Sequence, residues 1–154
     1  QFSLNDWCRE FTAEFISTIE LNKGELSVHS EEDDVLVRID PGHLHQIAWN
    51  LCENAIKSTS KTTRGIKVEM HVGRQANNRR PYLKIVDYGL GVPKQLQEHL
   101  FEPFAAGPDG GTGLGLFICR ELCEQNKATL HYLPGDNGGS IFQVVFADPS
   151  RWDV

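Results

Sequence analysis

Four short clusters in this sequence carry residue types suited to a charged, flat ligand. Gly111-Thr112-Gly113-Leu114-Gly115-Leu116 runs straight into an apolar segment with helical spacing. Glycine lacks Cβ, so backbone N–H groups at such a run can approach a ligand closely and take positive φ. A helix N-terminus adds unpaired N–H donors and partial positive charge. Together these make an anion site suited to phosphates. The run is not the dinucleotide fingerprint, because a long loop precedes it instead of a strand. It is not the Walker pattern either, since no Gly-Lys-Ser/Thr occurs.

Asp87-Tyr88-Gly89-Leu90-Gly91 stands at the end of an apolar, strand-like segment. A carboxylate there accepts hydrogen bonds, and the glycines let backbone come near a flat ring. In Asn50-Leu51-Cys52-Glu53-Asn54-Ala55-Ile56-Lys57, the two asparagines are four apart and share one helix face. Their amide oxygens can coordinate Mg²⁺, a hard cation bound through oxygens, and Lys57, one turn on, can reach a phosphate. Phe101-Glu102-Pro103-Phe104 precedes the glycine-rich loop as a rigid apolar hinge. Each cluster alone also has an ordinary explanation: a tight packing turn, an Asp-Gly turn, two amides satisfied by buried backbone, or a satellite core cluster.

The elements that must position these clusters are legible from periodicity. Trp7, Phe11, Phe15 and Ile19 recur every four residues and predict a helix stopping near Asn22 and Gly24. GELSVHS and DVLVRID read as two short strands separated by the acidic turn EEDD, whose side chains read as solvated. Asp40-Pro41 predicts an N-cap with proline at the first helical position. Leu44, Ile47, Ala48, Leu51, Cys52, Ala55 and Ile56 form the apolar stripe of the helix that follows. GIKVEMHV and PYLKIVD predict a strand pair, Pro93 a short helix, residues 101–112 a loop, and the segment through Gln125 a further helix. ATLHYL and SIFQVVF close the chain as a hairpin around PGDNGG. The predicted fold is an α+β two-layer sandwich, a mixed sheet of about five or more strands with about three helices on one face.

Composition excludes several classes. At 154 residues the chain fits one domain, read as 1–154. With 40% apolar and 23% charged residues it is globular and not disordered. No run of about 18 apolar residues spans a membrane, and no signal peptide is visible. The net charge of −6 argues against a general nucleic-acid binder. Cys8, Cys52, Cys119 and Cys123 lack paired C-x-x-C spacing, so they read as packing thiols in a reduced, cytosolic setting. Between Lys57 and Lys84 eight Lys/Arg face one acid, Glu69, a stretch read mainly as solvated strand faces and a hairpin tip at Arg79-Arg80.

The order of the clusters is more specific than any one of them. Asn-x-x-x-Asn-Ala, Asp-x-Gly-x-Gly, Phe-Glu-Pro-Phe and Gly-Thr-Gly-Leu-Gly-Leu, in that sequence, resemble the N, G1, F and G2 boxes of sensor histidine kinases. Those belong to the Bergerat-fold ATP-binding (GHKL) superfamily. DPGHLHQIAWNLCENAIK and GTGLGLFICRELCEQNKATL look most similar to the nitrogen-regulation and type IV pilus sensor kinases.

The resemblance implies roles position by position. Asp87 would bond the adenine amino group, with Gly89 and Gly91 shaping the wall beneath the base. Asn54, helped by Asn50, would hold Mg²⁺, and Lys57 would contact a phosphate. Gly111, Thr112, Gly113, Leu114, Gly115 and Leu116 would present N–H groups to the phosphates and hinge a lid anchored by Phe101 and Phe104. The implied activity is transfer of the γ-phosphate of Mg-ATP to a histidine on a separate dimerisation domain of the same kinase. A response regulator is an indirect partner, and the site is cytoplasmic in a membrane-bound parent. The sensor and phosphoacceptor regions are expected outside this chain.

Two departures refine the expectation. Hydrolytic members of the superfamily place a glutamate four residues before the metal asparagine. Here that residue is Asn50, and an amide cannot act as a general base. This disfavours efficient ATP hydrolysis and also the anti-sigma-factor type of serine kinase, which retains the glutamate. The loop AAGPDGG at 105–111 carries Asp109 and no Lys or Arg, which predicts weak ATP binding. A nucleotide-binding or docking module without catalysis is the remaining alternative.

Overall fold

The computed structural model describes residues 1–60, 62, 65–103, 114–136 and 138–148. Alternating apolar residues build β2 (Leu26–Ser30), β4 (Val68–Arg74), β5 (Pro81–Asp87), β6 (Thr129–Pro134) and β7 (Ser140–Val145), which follow β1 (Phe2–Ser3), while β3 (Leu36–Val37) lies apart. The five longer strands form one sheet in the order β2-β4-β5-β7-β6. β2 runs parallel to β4 and the other pairs are antiparallel, so the sheet is mixed, as the sequence predicts. Side chains alternate across it. Val68, Met70, Val72, Leu83 and Ile85 are fully buried beneath the helices, whereas Glu69, His71, Lys84 and Val86 occupy the opposite face less completely covered.

The helices are α1 (Leu4–Ile19), α2 (Pro41–Ser60), the short α3 (Lys94–Gln97) and α4 (Gly115–Gln125). Ser3 caps α1 by accepting the Asp6 N–H, and Glu20 ends it with φ 61°, in the left-handed region. Asp40 Oδ1 accepts the N–H groups of Gly42 at 2.8 Å and His43 at 3.1 Å, so the predicted cap of α2 is realised, an arrangement worth about 1 kcal/mol. Phe11 and Phe15 of α1 meet Trp49 of α2 edge-on at 6.1 and 4.7 Å between ring centroids. Leu44, Ile47 and Leu51 of α2 are fully buried together with Phe15, Phe142 and Phe146.

Two expectations are corrected. DVLVRID contributes only β3, which leaves the main sheet and pairs antiparallel with β1. The buried Asn5 causes this: its Oδ1 accepts the Val35 N–H at 2.8 Å, its Nδ2 donates to Glu32 O at 2.9 Å, and Leu4 N donates to Val35 O. The segment is thereby clipped to the start of α1. Nor is the acidic turn simply solvated. Glu32 pairs with Arg74 at 2.8 Å and Arg79 at 2.9 Å, and Glu31 accepts the Tyr82 hydroxyl at 2.7 Å. The two arginines hold the Glu32 carboxyl below its ordinary pKa range. Arg80 donates to Phe146 O, so much of the basic hairpin is engaged within the molecule.

Candidate functional site

Asp87 is the last residue of β5 and continues the helix-facing series Leu83, Ile85. It is 2% exposed. Between Val68 on one side and Ser140 on the other, it closes the end of the sheet's central strands. Burial pushes its carboxyl above the ordinary range, opposed by hydrogen bonds from the N–H groups of Gly89 and Ser140 and the hydroxyl of Ser58. The Gly89 N–H and the Ser58 hydroxyl both reach Oδ1, at 2.9 and 3.4 Å. A buried carboxylate fixed in this way presents a preset acceptor to a ligand's N–H group.

The glycines beside it are required by the protein's own packing. A Cβ on Gly89 would lie 2.2 Å from Ser58 Oγ, and one on Gly91, whose φ is +75°, would lie 2.5 Å from Gly138 O. One on Gly139 would meet Asp87 O at 2.0 Å. The loop after β5, the turn before β7 and the end of α2 therefore meet backbone to backbone around Asp87.

α2 supplies the next set. Asn50 and Asn54 are both half-buried, one turn apart, and Lys57 is exposed one turn further on. The Asn50 amide reaches the Cys119 thiol of α4 and opposes the rise that burial causes in that thiol's pKa, to about 12. Cys119 Sγ also donates to Ile47 O at 3.7 Å, so Asn50 lies at the α2–α4 seam. Asn54 has no hydrogen-bond partner for its amide among the described residues. That leaves an oxygen donor of the kind a hard cation accepts.

α4 begins at Gly115 after Leu114, with no side-chain cap on its first turn. A Cβ on Gly115 would meet nothing within 4 Å, and Leu116 is half-buried. The first N–H groups of a helix have no acceptor within the helix itself. Phe101 stands edge-on to Phe142 at 6.2 Å and packs on the core. Phe104, Asp109, Gly111, Thr112 and Gly113 lie outside the described residues.

The structure thus places Asp87, Gly89 and Gly91 around one sheet end, ties that end to α2 through Ser58, and packs α2 against α4 through Asn50. Sequence reasoning missed Ser140 and Gly139 as parts of this assembly. The register of Ser140 opposite Asp87 emerges only when the closing hairpin pairs with β5. The other standouts are structural: His45 stacks on Trp49 and bonds Glu14, His43 bonds Asn126, and all four cysteines are buried and free. A cleft of about 530 Å³ lies elsewhere, along the β6 edge, lined by Gln75, Gln97, Phe101, His131, Leu133 and Gln143. It contains none of Asn54, Lys57 and Asp87, and it is an open groove beside an edge strand, so the polar convergence at Asp87 is the better-defined site.

Comparison with known proteins shows the family and the fold. A family model described as histidine kinase-, DNA gyrase B-, and HSP90-like ATPase matches residues 39–150. The sensor protein kinase PilS of Pseudomonas aeruginosa is 33% identical over 151 residues, 98% of this chain and 28% of PilS. The sensory histidine kinase/phosphatase NtrB of Klebsiella oxytoca is 31% identical over 116 residues, 69% of this chain and 33% of NtrB. The chain spans about a third or less of either curated relative. Among solved structures, the nucleotide-free catalytic domain of the histidine kinase ThkA superposes with a TM-score of 0.74 at 26% identity, covering 94% of each chain.

Proposed function

The chain belongs to the histidine kinase-, DNA gyrase B- and HSP90-like ATPase family, and from that premise we propose that it is the part of a sensor histidine kinase that binds Mg-ATP and delivers the γ-phosphate to a histidine on a separate dimerisation domain. The observation that carries this reading is Asp87: a buried carboxylate, fixed through Oδ1, on the helix side of the sheet and bonded to the same helix that bears Asn54 and Lys57.

Each residue then has a defined task. Asp87 accepts the exocyclic amino group of adenine. Lys57 brings its ammonium to the phosphates, and the first turn of α4 at Gly115 and Leu116 offers backbone N–H groups to them. Asn54 is the amide suited to hold Mg²⁺, with Asn50 one turn before it. Bound Mg²⁺ supplies charge neutralisation between phosphate oxygens. Asn50 has no basic lone pair with which to deprotonate water, so the arrangement favours an external nucleophile over hydrolysis. An imidazole meets that need. The phosphohistidine so formed would serve a response regulator in two-component signalling. An ATP substrate puts the site on the cytoplasmic side of whatever membrane the parent protein meets. Among the described residues no helix is long and apolar enough to cross one.

The test is to mix the chain with γ-labelled Mg-ATP and a separately purified dimerisation domain. Acid-labile, base-stable label on that domain supports the proposal. Acid-stable label supports serine transfer, and nucleotide binding without transfer, where an intact relative transfers, supports a docking module.

A further inference from the structure

The sheet face turned away from the helices carries a row of polar side chains. By register, His29, His71, Lys84, Gln143 and His131 lie side by side across β2, β4, β5, β7 and β6. At the β2 edge the row becomes a cluster. His29 and His71 are direct neighbours on parallel strands, their rings 14° from parallel with centroids 4.8 Å apart. Glu69, two residues before His71, points to the same face. Its Oε1 lies 2.9 Å from His71 Nε2 and its Oε2 lies 4.0 Å from His29 Nε2. All three donor atoms fall within 4.8 Å of one another.

We propose that His29, Glu69 and His71 form a binding site for a transition-metal dication of the zinc type, on the opposite face of the sheet from Asp87. Two imidazole nitrogens and a carboxylate oxygen are a zinc donor set, with water completing the coordination. Tetrahedral bonds of about 2.0–2.1 Å put donors about 3.3 Å apart, so His29 must move in from donor separations of up to 4.8 Å and turn its ring out of the parallel stack with His71. Side-chain rotation on an edge strand allows this, because His29 is half-exposed and its hydrogen-bond partner at 2.9 Å is the hydroxyl of Ser27. Glu69 is already oriented: the Tyr88 hydroxyl donates to its Oε1 at 3.1 Å, the outer support that ligating carboxylates require. Lys67 and Lys84, the cations of this region, sit over the Tyr88 and Tyr82 rings at 4.5 and 4.9 Å. The donor set also separates this site from the nucleotide's metal, because Mg²⁺ takes oxygen ligands and leaves imidazole to softer ions. The site stands whether or not the kinase reading does.

The full 154-residue chain is titrated with ZnCl₂ near neutral pH in excess MgCl₂, and binding is followed by calorimetry. The expected result is one zinc per chain, bound at least tenfold more weakly by His29→Ala, His71→Ala and Glu69→Gln, with His131→Ala unchanged. Melting in EDTA establishes that each variant is folded. In the wild type, independently of any variant, zinc should shift the imidazole NMR signals of His29 and His71 before those of the other four histidines. No zinc binding below about 100 μM, wild-type affinity in either histidine variant, or first shifts at other histidines would each overturn the proposal.

Discussion

The hydroxyl of Ser58 donates to Asp87 Oδ1 at 3.4 Å, joining the last turn of α2 to the end of β5. The same oxygen would collide with a Cβ on Gly89. This serine ties the helix that carries Asn54 and Lys57 to the carboxylate at the end of β5. Oδ1 thus takes two of the carboxylate's protein donors, and the Ser140 N–H is a further one.

Asp87→Asn tests the carboxylate's role as acceptor. The substitution replaces one of its two acceptor oxygens with an NH₂ donor. A donor then faces the adenine amino group, itself a donor. Mg-ATP affinity should fall at least tenfold, about 1.4 kcal/mol, with the fold retained. Calorimetry and a thermal melt check both halves of the statement.

The raised pKa of Asp87 gives a pH signature with a definite sign. A carboxyl whose folded pKa exceeds its unfolded value binds more protons when folded, so its contribution to stability declines as pH rises from about 3.9 to the folded value. The wild type should therefore lose stability relative to Asp87→Asn across that window and hold a constant difference above it. Ser58→Ala removes a bond to the ionised form and should move the Asp87 carboxyl titration, followed by ¹³C NMR, further upward.

Asn54→Ala should leave stability nearly untouched, since its amide bonds no described residue. Nucleotide affinity in the wild type should drop when EDTA removes Mg²⁺. In Asn54→Ala the value should already be low and should not respond to EDTA. An unchanged response in the variant removes Asn54 from the metal site.

Two glycine substitutions should diverge. Gly139→Ala drives a Cβ to 2.0 Å from the Asp87 carbonyl, backbone that cannot swing aside, and should cost about 2 kcal/mol in chemical denaturation. Gly115→Ala meets open space in the first turn of α4 and should leave stability unchanged or raised.

Most of the elements were legible because their apolar periods are strong. β5 occupies PYLKIVD from end to end, and α4 spans Gly115–Gln125, close to the expected limits. DVLVRID misled because its alternation is that of a strand, while a single buried asparagine far away in sequence decides where it goes. In the site, Asp87, Asn54 and Lys57 stood out by type and order. Ser140 did not, since its partner is set by strand register, which spacing along one chain does not encode. Gly139 looked like any turn glycine until β7 was laid against Asp87.

The most direct measurement is an amide NMR titration of the ¹⁵N-labelled chain with Mg-ATP. The signals of Asn54, Lys57, Ser58, Gly89 and Gly115 should move together, while those of Gln75, Gln97 and His131 stay in place. Shifts centred on Gln75, Gln97 and His131, at the β6 edge, with Gly89 and Asn54 unmoved, would contradict this site assignment.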